Sequence, residues 1–299
     1  MYYYRGLLTA ISLLCITAMS CKKNGAPDTT ASETATQSLL MNATNDIVSL
    51  SAQENTEVGD VVGSDVMGSG DSSSCRVVTF DPSRRVFPHQ KTIDYGSGCV
   101  CMDGLTRAGK KIIMIYANPD SSAAGTLVSE TTFSNFSVDG VSIQGNVKTY
   151  VDSPAIPGPR VLKVVANKNL ADSKGNTKTF TATSYWTQTT GAGTLTRQDD
   201  IYQITSSASG DEVLDGATAI QWTSNTDPLH PVIKPGDCYY RTQGGLQISL
   251  HIVTGGGGDF TEYLDYGGGN CDNNATLSIN GGTPQAVTLP LVFFPLSVK

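Results

Sequence analysis

Between residues 75 and 299 the apolar positions recur every second residue. Phe180, Ala182, Ser184 and Trp186 alternate with Thr179, Thr181, Thr183 and Tyr185. Ala275, Leu277 and Ile279 alternate in the same way with Thr276, Ser278 and Asn280. A period of two sends successive side chains to opposite faces, so each stretch predicts a strand with one buried face. Turn signals separate these stretches: "NPDSSAAG" (118–125), "SPAIPGP" (153–159), "ADSKGN" (171–176), "SGDEVLDG" (209–216) and "NGG" (280–282). Strands punctuated by such turns, with no convincing helical period, predict an antiparallel all-β domain, built as a sandwich, an open meander or a barrel. The C-terminal "VTLPLVFFPLSV" (287–298) reads as a closing edge strand, since Pro290 and Pro295 lack amide donors. Residues 75–299 are numerous enough to bury one sizeable core, or to form two β halves.

Upstream of residue 75 the alternation is lost. Residues 21–74 are dominated by Ala, Ser, Thr, Asn and Gly, and "GSDVMGSGDSSS" (63–74) has the composition of a flexible linker. Leu40, Ala43, Ile47 and Leu50 do fall at helical spacing. They allow a short amphipathic helix near residues 36–53, either a partner-binding element or a weakly helical stretch of tether. The composition favours tether.

Within the β region one phrase is written twice, "DYGSGC" (94–99) and "DYGGGNC" (265–271). Each copy follows a strand-like stretch, with Ile93 and Tyr95 on one face in the first and Leu264 and Tyr266 in the second. Glycine after each Tyr permits φ > 0 and a sharp reversal, so each copy predicts a β-turn-β unit with a cysteine at the turn. A further cysteine precedes each copy, Cys75 before Cys99 and Cys238 before Cys271. In an exported chain this reads as two disulfides, Cys75–Cys99 and Cys238–Cys271. Cys101 is the odd thiol; it is either a second possible partner for Cys75 or a free cysteine.

Export is indicated by the N-terminus. One basic residue, Arg5, precedes an apolar run over residues 6–17 that is too short to cross a bilayer, and Ala18 and Ser20 are small residues at a cleavage site. Cys21 directly after Ser20 resembles the lipobox of bacterial lipoproteins, in which that thiol is acylated. Residues 1–20 are then a signal peptide, and residues 21–74 a lipidated tether. Two or more acyl chains on Cys21 anchor a protein firmly to a bilayer without spanning it. "SCKKN" (20–24) resembles the junction common in lipoproteins of the Bacteroidetes, and Lys22 and Lys23 resemble those sent to the outer membrane. "DTT" (28–30) matches a short O-glycosylation pattern of that group, with Thr29 as acceptor.

Charge narrows the partners. The formal net charge of −7 becomes −8 once Arg5 leaves with the signal, and no Lys/Arg cluster appears, which argues against nucleic acid. Charged residues at 16% and 31 glycines fit an exported β-protein rich in turns.

The stretch "TIDYGSGC…DGLTRAGKKIIMI", the pattern F-x-NF-x-VDG-x-x-I-x-G (133–145) and the closing "LDYGGGNCDNNATLSING" together resemble an uncharacterised family of Bacteroidetes surface lipoproteins. The resemblance spans most of residues 75–285. It implies an anchored β-domain and brings no activity with it. Cys101 departs from the family pattern, which leaves the first disulfide open between Cys99 and Cys101.

Candidate chemistry is sparse. The three histidines, His89, His230 and His251, show no metal-ligand spacing, and no Cys-x-x-Cys or G-x-S-x-G is present. Asp94 and Asp265 occupy equivalent places, with Asp103 and Asp272 soon after each. Such acids could serve a polysaccharide-acting enzyme if they converged, or could bond turn amides, as Asp commonly does. Asp272, Asn273 and Asn274 are candidate oxygen ligands for Ca²⁺ on the same terms. Trp222, Tyr239 and Tyr240, with Tyr185 and Trp186, are candidates for a sugar-stacking platform wherever they are not core. The sequence therefore predicts an outer-membrane-anchored lipoprotein whose β-domain binds a glycan, a matrix component or a partner protein, without catalysis and without a required cofactor. A carboxylate-dependent enzyme and a purely structural envelope component are the alternatives.

Overall fold

The computed structural model describes Leu40, Ala43, Thr44, Ile47 and residues 75–289, apart from 84–85, 102–104, 155–158, 193, 195–197, 215, 239 and 254–256. Residues 75–289 are built of strands. The first four are β1 (Val77–Asp81), β2 (His89–Asp94), β3 (Cys99–Val100) and β4 (Thr106–Ile115). Five long strands follow: β5 (Leu127–Val138), β6 (Val141–Ser153), β7 (Val161–Ala171), β8 (Thr177–Thr190) and β9 (Ile201–Leu214). The remainder are β10 (Ala217–Thr226), β11 (Val232–Pro235), β12 (Gln243–Ile252), β13 (Gly258–Gly268), β14 (Asn274–Ile279) and β15 (Gln285–Thr288).

All fifteen belong to one antiparallel sheet, in the order β1-β2-β4-β5-β6-β7-β8-β9-β10-β12-β13-β14-β15. It is a meander: nearly every strand pairs with its neighbours in sequence. The two strands off this path prolong lanes already begun. β3 continues the β2 lane along β4, and β11 continues the β10 lane between β9 and β12. Short turns make the reversals. Asp139 and Gly140 both adopt positive φ, 47° and 83°, between the paired Val138 and Val141, as a two-residue hairpin requires.

The period of two emerges as burial of one face. Val147, Ala166, Ala182, Ala208, Ser224 and Ile248 form one inner row from β6 to β12, and Glu262 of β13 and Ile279 of β14 continue it. The next row carries Phe180 and Trp222, whose rings lie 5.8 Å apart. Gly210 stands between them in that row because a Cβ there would lie 2.7 Å from the Trp222 ring. Lys178 and Glu212 are also turned inward and pair with each other at 3.4 Å.

Residues upstream of the strands join the same core. Leu40, Ala43, Thr44 and Ile47 are helical and at most 3% exposed, and the three apolar ones belong to the cluster that the sheet buries. Their i, i+3, i+4, i+7 spacing puts them on one helical stripe. These residues fall inside the stretch 36–53 for which the spacing allows a short amphipathic helix. A helical stripe without a partner in its own neighbourhood looked like linker, whereas the partner is a sheet that begins at residue 77. The signal peptide, the rest of the tether and the proline-bearing end beyond Leu289 lie outside the described residues.

Candidate functional site

The outward face of β8, β9, β10, β12 and β13 carries a groove of about 580 Å³. Strand register builds it. Thr181, Ser209, Thr223, Ser249 and Thr261 stand opposite one another across the five strands, giving a continuous row of hydroxyls. Beside it runs a second row, Asp211, Gln221, His251 and Asp259, begun on β8 by Thr179, whose Oγ1 accepts the Asp211 amide at 2.9 Å. Neighbouring strands are ~4.8 Å apart and alternate residues of one strand ~6.8 Å apart, so the groove is a grid of hydrogen-bonding groups.

Its electrostatics are set by two carboxylates and an imidazole. His251 Nδ1 meets Asp259 Oδ1 at 2.7 Å, with both side chains largely in solvent. No Lys or Arg lines the groove among the described residues. Anionic ligands would meet Asp211 and Asp259 without a compensating cation, whereas neutral polyhydroxyl ligands would find donors and acceptors at every lattice point. Asp211 and Asp259 are three lanes apart, ~14 Å along the sheet. Paired glycosidase carboxyls stand ~5–9.5 Å apart.

A rim of aromatic side chains continues the same face. Tyr263 lies two residues beyond Thr261, and Tyr185 lies four beyond Thr181 with Lys163 Nζ 5.9 Å from its ring centre. Tyr263 is fixed at a corner where the chain leaves β10 before re-entering as β11. Its hydroxyl donates to Asp227 Oδ2 at 3.0 Å, and His230 Nδ1 meets the same oxygen at 2.8 Å. The His230 bond is the main reason the Asp227 carboxyl is held below its usual range. Burial, followed by Asp227, pushes the Tyr263 phenol up to about 12. Gly245 accommodates the ring, since a Cβ there would lie 2.2 Å from the Tyr263 hydroxyl.

The repeated phrase serves turns. Asp94 Oδ1 accepts the Gly96 amide at 2.8 Å, and Asp265 Oδ1 accepts the Gly267 amide at the same distance. Tyr95 and Tyr266 point into the core in both copies. Lys110 bonds Asp94 at 2.9 Å and, with the Gly96 amide, holds its carboxyl low. The first copy differs from the expected sharp reversal. Tyr95 donates to Gly109 O and Gly109 donates back to Gly96 O, each at 2.9 Å, so the chain bulges and runs on into β3 before turning. Asp94 and Asp265 do not converge. They sit at opposite ends of the sheet, because β2 and β13 are nine antiparallel steps apart.

The other candidates resolve individually. Both disulfides form, Cys75–Cys99 and Cys238–Cys271, each with Cα atoms 5.6 Å apart. Cys101 remains a buried thiol, its Sγ 3.6 Å from the Cys99 carbonyl. Asp272 Oδ1 accepts the Asn274 amide at 2.9 Å, and Asn273 Nδ2 donates to the Leu289 carbonyl. Among the described residues no cluster of three His, Cys, Asp or Glu could hold a metal. Trp222 is a correction: its side chain is 3% exposed, with its ring tilted against Phe180 in the core, so it offers no stacking platform. Tyr240 is half-buried, and burial, then Asp272, raises its phenol pKa. Tyr239, Asp103, Cys21 and Thr29 lie outside the described residues. The hydroxyl row went unread in the sequence. Its signal, Thr179, Thr181 and Thr183 on the outward face of one strand, is visible, but the register joining it to β9–β13 is not. Comparison of the chain with models of protein families, with curated proteins and with solved structures finds no match.

Proposed function

We propose that this protein is an outer-membrane lipoprotein, anchored through Cys21, whose β-domain binds a neutral polysaccharide without cleaving it. The observation that carries the reading is the cation-free groove with its five-hydroxyl row. Ser and Thr hydroxyls, two carboxylates and a glutamine match the donor and acceptor pattern of sugar hydroxyls, and Tyr263 at the rim offers a ring edge to a pyranose. The ~14 Å between Asp211 and Asp259 favours binding over a two-carboxylate hydrolysis. The signal, Cys21 and the SCKKN junction support the anchor. Burial of Leu40 shortens the effective tether from Cys21 to 19 residues, a reach of at most ~65 Å.

The test is calorimetric titration of the full mature chain in detergent with a panel of neutral and acidic soluble polysaccharides. Saturable binding of a neutral member, abolished by Thr223→Arg with unfolding temperature unchanged, is expected. Binding restricted to acidic members, or unaffected by Thr223→Arg, would remove the groove from consideration.

A further inference from the structure

The groove is long across the strands and short along them. Each strand enters it within three consecutive positions, 179–181, 209–211, 221–223, 249–251 and 259–261, so it spans about 7 Å in the strand direction. Across the five strands it spans four lane spacings, ~19 Å. A linear chain therefore fits the groove lying perpendicular to the strands, and not along them.

The two rows that line the groove do not stop at β8. Thr181 pairs with Asn167 of β7, and Asn167 with Asn146 of β6. Thr179 pairs with Asn169, and Asn169 with Gln144, so the second row continues over the same two strands. Asn167, Asn169 and Gln144 are exposed, while Asn146 is half-buried with its Nδ2 donating to Glu130 Oε1 at 3.4 Å. Asparagine is depleted in strands, because its short amide competes for backbone hydrogen bonds. Strand formation alone would not select these carboxamides in line with the groove. Neither row carries a Lys or Arg between β6 and β13. Beyond β6 the first row meets Thr132 and then Ile112, and the polar run ends.

We propose that the groove takes one extended, β-1,4-linked neutral polysaccharide chain, laid perpendicular to the strands on a track that continues over Asn167 of β7 and Asn146 of β6. The inference rests on the groove being a polysaccharide site. A pyranose joined through two equatorial oxygens advances by about one ring length per unit. That is close to one lane spacing, so the hydroxyls of successive rings meet successive strands. An axially linked chain coils and carries its hydroxyls away from a sheet within a few units. Each carboxamide adds two donors and an acceptor for sugar hydroxyls. The groove alone holds about four rings, and the seven lanes from β6 to β13, ~29 Å across, hold about six.

Calorimetric titration of the full mature chain in detergent tests the proposal. The probes are β-1,4-linked oligosaccharides of glucose, mannose and xylose, two to eight units long, with α-1,4-linked glucose oligosaccharides of the same lengths as the contrast. At least one β-linked series should bind, with affinity rising with length up to about six units. Asn167→Ala and Asn146→Ala should each weaken the binding of six-unit ligands about three- to tenfold and leave four-unit ligands unaffected, with unfolding temperature unchanged. Affinity that levels off at four units overturns the track over β6 and β7. So do long ligands indifferent to both substitutions, or a loss equal at both lengths, as a merely structural lesion would give. Binding of the α-linked series alone, or of a neutral polysaccharide while every β-linked series fails, overturns the inference and leaves the groove's polysaccharide role standing. If no neutral polysaccharide binds at all, that role itself fails.

Discussion

Thr44 and Glu262 are 218 positions apart in the chain and meet inside the domain, where the Thr44 hydroxyl lies against a Glu262 carboxyl oxygen. The same hydroxyl is 3.0 Å from the Leu40 carbonyl, one helical turn back. A hydroxyl has a single proton to donate. If Thr44 donates to Leu40, the Glu262 contact is completed when the carboxyl itself carries a proton. Burial favours that neutral form and pushes Glu262 up to about 7. The helical segment is thus joined to β13 by a bond whose donor depends on pH.

Stability should therefore fall as pH rises through neutrality. The Glu262 carboxyl has a folded pKa of about 7 and an ordinary value of 4.5. A raised folded pKa gives stability that is complete below the unfolded value and lost as pH passes the folded one. The difference corresponds to a loss of about 3 kcal/mol between roughly pH 4.5 and 8. Glu262→Gln keeps a neutral partner for Thr44 at every pH. Urea unfolding at pH 5 and pH 8.5 should show the loss in the native chain and a much flatter response in Glu262→Gln. Equal slopes in the two proteins would assign the pH dependence elsewhere.

Because Ile47 is fully buried, Ile47→Ala should lower the unfolding free energy by about 2–4 kcal/mol. A fragment beginning at Cys75 removes the whole stripe from the core cluster, together with the Thr44 contact to Glu262. It should bind a hydrophobic dye such as ANS strongly, whereas the full chain should not. An uncooperative, dye-binding fragment and a cooperative full chain are the expected pair. A fragment as stable and dye-silent as the full chain would mean that the helical residues contribute nothing to the core.

Alternation made the strands legible: Phe180, Ala182 and Trp186 against Thr179, Thr181 and Thr183 is a local signal, set by side-chain direction alone. The cysteine pairs were legible too, because the phrase around Asp94 is repeated around Asp265. What joins distant segments was not. The hydroxyl row from Thr181 to Thr261 depends on the relative shift of five strands, and a shift of one residue would have buried it. The separation of Asp94 from Asp265 depends on the odd number of steps between β2 and β13. The stripe Leu40–Ala43–Ile47 was visible as a helix, but its burial depends on a core supplied by the sheet, where Thr44 meets Glu262 218 positions later. Nothing near it in sequence indicates that demand.

Gly210 supports the groove from beneath. A Cβ would lie 2.0 Å from the Thr179 carbonyl as well as 2.7 Å from the Trp222 ring. Backbone cannot yield cheaply there, so Gly210→Ala should destabilise the protein by about 1–3 kcal/mol. Displacement of the Trp222 indole should also shift its fluorescence maximum. Unchanged stability and emission would show that β8 and β9 separate readily at this point.

The two staples should act independently, since Cys75–Cys99 and Cys238–Cys271 lie at opposite ends of the sheet and on lanes far apart. Closing loops of this size stabilises a chain by roughly 3–4 kcal/mol each in the chain-entropy account. Replacing Cys238 and Cys271 together by Ser should cost about that much, and the Cys75/Cys99 pair the same, with the effects adding. Cys101→Ser should leave the Cys75–Cys99 peptide intact in a non-reducing digest, because Cys101 is a buried thiol that takes no part in the bond. In the unaltered chain, a thiol reagent should label Cys101 only after unfolding. A native chain whose digest yields Cys75 joined to Cys101 would instead make Cys99 the buried thiol and displace β3 from β4, since Cys99 is the residue that pairs with Arg107 there.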